Sequence, residues 1–398
     1  MSARERSATV RAASRERPAA SCGGLLPLAT SHLPLLLIAL LWSLSLSAQR
    51  SPFNGLEVLP ADSTGHYRIL IGGHFHGEST NRSGYPAATL LANLDTINSL
   101  GANLFLSTGD LFMDPVNDLP RYQRSLFSKL KMPFFNAPGN HDLSADEWGS
   151  GRLCLSKRCG IGVMPSTSVI RSEGLSDNIG RSYDCRSSFE CVLFDTELAD
   201  GSIVDHQFES LLNVLDDALY SDSCALRTLF IISHRPIWAE EDPQYSPLFE
   251  GNTRSVTGTN FQKDVYPLLE KIAERAHVYW ISGSMGGQAP ASIFFQQHAP
   301  NITFIQCAIR DVPRDALLIA DVFPDTVKWS ALSLTGQTLL APEAYDAAWW
   351  RKHLGKSEGF NWKLLPYLVK TTVFHRAFWW GAGLMLLLVW LIRRILRR

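Results

Sequence analysis

The chain has 398 residues, 45% of them apolar and 19% charged, enough for one large α/β domain or two small ones with membrane segments attached. A formal net charge of -1 gives no global basic field for nucleic acid and no acidic bias typical of a solvating tail. Charge is informative only at the two ends.

Residues 1–48 join a basic leader (Arg4, Arg6, Arg11, Arg15 and Arg17) to an apolar run over 33–46 and a small-residue exit at Ser45, Ser47 and Ala48. These are the parts of a secretory signal, read as a signal peptide or an uncleaved signal anchor. Residues 52–345 form the expected globular domain. Within it the pattern predicts a strand at 67–71, a helix at 87–100, a strand at 103–107, a helix at 122–130 and a strand at 132–137. A strand at 189–194, a helix at 206–219, a strand at 227–232, a helix at 261–276 and a strand at 277–281 follow, then three strand-like runs up to Leu334. Strands alternating with helices imply crossover connections and sheets covered by helices.

Residues 346–371 read as a juxtamembrane segment, 372–392 as a transmembrane helix and 393–398 as a basic cytoplasmic tail. The apolar run 377–392 falls short of the ~20 residues a span needs, but Val373 and Phe374 lengthen it and Arg376 can snorkel. Trp379, Trp380 and Trp390 lie near its ends, where amphipathic rings favour the headgroup layer. Arg393, Arg394, Arg397 and Arg398 should stay in the cytoplasm by the positive-inside rule, which puts the globular domain on the extracytoplasmic (periplasmic, lumenal or extracellular) side.

Cys22 lies in the leader and six cysteines follow it, an even number that in an exported chain points to disulfides. Local bridges are expected between Cys154 and Cys159, and between Cys185 and Cys191 across a hairpin tip at 186–190. Cys224 with Cys307 is a weaker pair. Neither spacing matches a zinc knuckle. Sequons at Asn81-Arg82-Ser83 and Asn301-Ile302-Thr303 accept glycans only in a eukaryotic secretory pathway.

Four polar motifs each follow an apolar run: Gly73-His74-Phe75-His76-Gly77, Thr108-Gly109-Asp110, Pro138-Gly139-Asn140-His141-Asp142, and Ser233-His234-Arg235-Pro236. Singly, each is ordinary turn chemistry or a pair of histidines on one face. In open α/β sheets, however, the carboxyl ends of strands form the ligand crevice, and all four motifs fall there in order. The set resembles the calcineurin-like metallophosphoesterases, whose pattern runs D-x-H, G-D, G-N-H-D/E, H and G-H-x-H.

The resemblance covers roughly residues 67–334 and implies a sandwich of two mixed β-sheets flanked by helices, with the C-terminal transmembrane helix appended. It makes Asp110 the carboxylate bridging two metal ions, His76 a ligand of the first, and Asn140 and His234 ligands of the second. His141 becomes the catalytic group that assists the leaving oxygen, and Asp142 the acid that orients His141 through its ring. The implied activity is hydrolysis of a phosphomonoester or phosphodiester by metal-activated hydroxide.

The sequence departs from that pattern twice. His74 stands where the family has its first Asp, so that His74, His76 and Asp110 would hold the first metal. Gly283-Ser284-Met285-Gly286 stands where the family has G-H-x-H. The nitrogen-rich set favours Zn or Fe over Mn, as one or two divalent ions. Ser284, Gln288 and His298 are the available late ligands. The expected partner is a phosphate-ester substrate, with a lipid-linked one suggested by the membrane segments, and no nucleic acid. The competing reading is a catalytically impaired fold kept as a binding or scaffold module. No G-x-S-x-G elbow, P-loop or H-E-x-x-H is present to support another hydrolase.

Overall fold

The computed structural model describes residues 50–77, 83–142, 167–171, 189–196, 205–220, 226–240, 242–250, 260–355, 362, 365–374 and 376–397. Eleven strands are described: β1 (Tyr67–Gly72), β2 (Leu104–Ser107), β3 (Phe134–Asn136), β4 (Thr167–Arg171), β5 (Phe189–Phe194), β6 (Thr228–Ser233), β7 (His277–Ser282), β8 (Ile293–Ala299), β9 (Ile302–Cys307), β10 (Ala316–Phe323) and β11 (Thr326–Ser333). They form two sheets, ordered β11-β10-β1-β2-β3 and β4-β5-β6-β7-β9-β8.

Both sheets are mixed, as expected. In the first, β1, β2 and β3 run parallel while β10 and β11 add antiparallel strands at one side. In the second, β5, β6, β7 and β9 run parallel between antiparallel edges β4 and β8. Successive side chains on a strand point to opposite faces, which sorts the first sheet between two cores. Ile69, Ile71, Leu104, Leu106 and Phe135 join the core shared with the second sheet. Leu70, Phe105 and Phe134 join the core under the helices Ala88–Ala92, Leu94–Ser99 and Pro115–Ser125. The second sheet is covered on its far side by Asp205–Tyr220 and Tyr266–Ala273, through Leu211, Leu215, Leu269 and Ile272. Every residue of β6 and β9 is buried, the signature of interior parallel strands.

Several elements differ from the sequence reading. The helix expected over 87–100 is broken at Asn93, whose side-chain amide donates to the carbonyls of Thr89 (2.7 Å) and Leu334 (2.8 Å). The helix expected at 122–130 begins at Pro115 instead, with Asp114 as N-cap accepting from the Asn117 N–H. Pro115 and Pro120 disguised that start, although Pro115 fits the first turn without losing a hydrogen bond and only Pro120 lies inside the helix. Beyond β7 there are four strands, β8 to β11, and not three. The hydrophobic core also continues past residue 345. Trp350, on the helix Ala347–His353, is fully buried, donates its indole N–H to the Ile293 carbonyl (3.0 Å) and meets Phe294 edge-on.

The last helix is Arg376–Leu396, 21 residues, long and apolar enough to cross a membrane. At 1.5 Å per residue it reaches about 31 Å, close to a hydrocarbon core. It starts later than position 372, because Val373 closes the preceding helix Leu365–Val373.

The disulfide expectation is not supported. Cys154, Cys159, Cys185 and Cys224 lie outside the described residues, and no bridge joins two described cysteines. Cys191 is not at a hairpin tip: it sits inside β5, buried and opposite Ile170 of β4. Cys307 is a free buried thiol, which burial pushes up to about 12. Asn301 acts as a turn residue, with φ 60° and its amide donating to the Ala273 carbonyl (2.9 Å). Asn81 lies outside the described residues.

Candidate metal centre

The parallel strands β1, β2 and β3 of one sheet and β6 and β7 of the other deliver their carboxyl ends to one place. After β1 the backbone turns sharply. His74 has φ 57°, its N–H donates to the Gly109 carbonyl (2.9 Å), and its own carbonyl accepts from Gly77 (2.9 Å). After β2, Gly109 (φ 94°) and Asp110 (φ 58°) are both left-handed. For a residue with a Cβ that conformation costs about 1–2 kcal/mol, so the surroundings must hold it.

Asp110 is the hub. Its Oδ2 lies 3.2 Å from Nε2 of His74, 3.3 Å from Nε2 of His234 and 3.5 Å from Nε2 of His76. All four side chains are buried. Two donor sets share this carboxylate, His74–Asp110–His234 and His76–Asp110–His141, the ligand atoms of each within 4.8 Å of one another. Two imidazoles and a carboxylate make a donor set suited to zinc or iron. The residues present therefore fit a divalent ion. The grouping differs from the sequence reading, which placed His74 beside His76 and left His141 outside. Asn140 lies half-buried in the turn beside His141. Of the late candidates, His298 is engaged on β8 with the Tyr245 hydroxyl (2.7 Å), and Gln288 is exposed. Ser284 is buried and its N–H donates to the His234 carbonyl (2.7 Å).

Burial pushes the Asp110 carboxyl up, but the imidazoles of His234 and His74 outweigh it and hold it well below the usual carboxylate range. Burial moves His74 the other way, well below an ordinary histidine.

Asp142 is engaged with the backbone of two loops. Its Oδ1 accepts the backbone N–H groups of Leu111 (2.8 Å) and Phe112 (3.2 Å). Its Oδ2 accepts those of Gly139 (2.9 Å) and Asp110 (3.0 Å), and the Asn136 amide (3.1 Å). Consecutive N–H groups converging on one anion form a nest. Burial and the neighbouring Asp110 push the Asp142 carboxyl up, against the pull of these donors. The group thus ties the loop after β2 to the loop after β3, and so sets the backbone that carries Asp110. The His141 N–H in turn donates to Asp110 Oδ1 (3.1 Å).

Gly283–Gly286, where the family histidines are missing, is tied to two arginines. The Met285 carbonyl accepts from Arg310 Nη1 (3.0 Å) and the Gly286 carbonyl from Arg314 Nη2 (3.2 Å). Arg310 Nη1 also lies 3.1 Å from His74 Nδ1. Sequence reasoning missed Arg310. The available signal was the charged run Arg310, Asp311, Arg314 and Asp315 just after the fully buried β9, since such charges are almost never buried unless paired.

Asp315 anchors this run, accepting the Arg310 N–H (3.0 Å). The Thr89 hydroxyl, with one proton, lies 2.8 Å from both Asp311 Oδ1 and Asp315 Oδ2, so a second proton is favoured on one acid. Burial pushes Asp315 up to about 7. A carboxyl raised on folding contributes stability that is full below its unfolded value and is lost as pH rises through the folded one. Between about pH 4 and 7 this group alone pulls the thermal unfolding midpoint down, so the midpoint of Asp315→Asn should rise relative to that of the wild-type chain as pH increases across that window.

The calcineurin-like phosphoesterase family profile matches residues 67–264. Among solved structures, a dimetal phosphatase from Danio rerio is similar at 15% identity and a TM-score of 0.44, covering 69% of this chain and 98% of its own. No curated protein matches the chain. With the ordered motifs at the strand ends and the two-sheet architecture already described, the chain belongs, through residues 67–264, to the calcineurin-like phosphoesterase superfamily.

Proposed function

We propose that the chain is a metal-dependent phosphoesterase, hydrolysing a phosphomonoester or phosphodiester and anchored to a membrane with its globular domain outside the cytoplasm. The observation that carries this reading is the convergence of three histidines on one buried carboxylate oxygen, Asp110 Oδ2, at 3.2 to 3.5 Å. His76, Asp110 and His141 would hold a divalent ion, with His234 on the other side of the shared carboxylate. Such an ion supplies Lewis acidity to phosphoryl oxygens and lowers the pKa of water. The protein's part is preorganisation. Asp142 fixes the Asp110 backbone, the Thr108 carbonyl fixes the His234 ring through Nδ1 (2.9 Å), and burial keeps bulk water from screening the site. Of His76, Asp110 and His141, His141 is the least buried.

The membrane part rests on the helix Arg376–Leu396 and the arginines that end it, read by the positive-inside rule. Residues 1–48 would then be an export signal or a second anchor. A lipid-linked phosphate ester is the substrate class that suits such tethering.

The Gly283–Gly286 segment favours a second reading, a binding module without turnover, because the carbonyls there serve arginines. One experiment separates the two. Intact cells making the full chain are given a membrane-impermeant aryl phosphate together with Zn, Fe(II) or Mn. Hydrolysis that a chelator stops supports the proposal. Activity released only on lysis overturns the orientation, and no activity in either state leaves the binding module.

A further inference from the structure

His74 and His234 approach the same carboxylate oxygen, yet their far nitrogens face opposite chemistry. Nδ1 of His234 faces a carbonyl, Thr108 O at 2.9 Å, which only accepts. That ring therefore carries a proton on Nδ1 and turns the Nε2 lone pair toward Asp110, the usual arrangement of a ligating histidine. Nδ1 of His74 faces a guanidinium, Arg310 Nη1 at 3.1 Å, which only donates. With Nδ1 accepting from the guanidinium, the ring carries its proton on Nε2, aimed at Asp110 Oδ2, 3.2 Å away. A protonated nitrogen has no lone pair to give a metal.

Arg310 is held firmly in that place. Its backbone N–H is fixed by Asp315 (3.0 Å), its side chain by the Met285 carbonyl (3.0 Å), and its neighbour Ile309 donates to the Gly73 carbonyl (3.0 Å), one residue before His74. Through His74, the guanidinium lies one ring away from the Asp110 carboxylate. A second divalent ion beside His74 would be repelled by this fixed positive charge.

We infer that Arg310 is a cation built into the site: acting through His74, it takes the place of one of the two metal ions, and the protein binds a single ion at His76, Asp110 and His141. The inference rests on the metal-dependent reading above. It also explains two features of the chain together. His74 replaces an acid because its task is to pass a hydrogen bond between Arg310 and Asp110. At Gly283–Gly286, where the family has histidines, the Met285 and Gly286 carbonyls seat Arg310 and Arg314.

The test uses the full chain in detergent, stripped of metal and titrated with Zn, with bound equivalents read by elemental analysis. One equivalent is expected in the wild-type protein. His74→Gln should retain it with affinity changed by less than about threefold, whereas His76→Ala should weaken binding about 100-fold or more. Two equivalents in the wild-type protein, a measurement that needs no variant to fold, overturn the inference and leave the phosphoesterase reading standing. One equivalent that is lost in His74→Gln but kept in His76→Ala also overturns it. No bound Zn overturns both.

Discussion

Asp110→Asn should abolish phosphate-ester hydrolysis, by about a thousandfold or more, without unfolding the protein. The carboxylate is the only acidic group in either donor set, so its removal takes the negative charge from every ion position at once. The asparagine keeps the shape and still offers its oxygen to the His141 N–H, which Asp110 now bonds at 3.1 Å. The fold holds this carboxylate in its charged form, so its loss should lower the melting temperature somewhat while leaving the protein folded. The measurement is a pair: turnover of an aryl phosphate and thermal unfolding of the same preparation. Full activity in Asp110→Asn would remove the hub from the mechanism. A large fall in melting temperature would mean that Asp110 matters first to folding.

Asp142→Ala should act the opposite way, through stability. Five N–H donors end on this one carboxylate, at 2.8 to 3.2 Å. Truncation leaves them buried together, and each unsatisfied buried group costs about 1–3 kcal/mol, although water entering the space offsets part of it. A net loss of about 3–5 kcal/mol is expected, with activity falling because the loops that carry Asp110 and His141 lose their common anchor. Thermal unfolding in detergent measures it. The resemblance implied that this residue orients His141 through its ring, and the same variant distinguishes the two roles. A protein that melts like the wild type but turns over slowly would favour the ring contact over the backbone nest.

The different legibility of these two acids has a physical cause. Asp110 announces itself because Thr-Gly-Asp follows the fully buried strand β2, and a carboxylate there faces the crevice. Asp142 also stands in a visible motif, but four of its five donors are backbone groups, and every residue other than proline carries an N–H. Nothing in the sequence marks which of them a carboxylate will collect. Arg310 is less visible still, since 236 residues separate it from His74 and no motif links them. Trp350 was hidden differently: a Trp- and Lys-rich stretch before an apolar helix reads as membrane-proximal, yet the indole completes the core against Phe294. The helix beginning at Pro115 was masked by that proline, which suits its first turn, and by Pro120 in its interior.

What the sequence determined by itself was the alternation of strands and helices, the apolar helix near the C-terminus and the order of the histidine and aspartate motifs at strand ends. These follow from local rules, the two-residue period of a strand and the turn chemistry after it, and need no knowledge of distant partners. Tertiary structure alone decided which side chains share the crevice. It set His76 beside His141, joined Asp142 to the backbone that carries Asp110, and put a guanidinium behind His74. Each of these is a contact between segments far apart in the chain, fixed by how β1, β2, β3, β6 and β7 stack their carboxyl ends. A hydrogen bond's direction then depends on what lies on the other side of the ring, which a linear sequence does not encode.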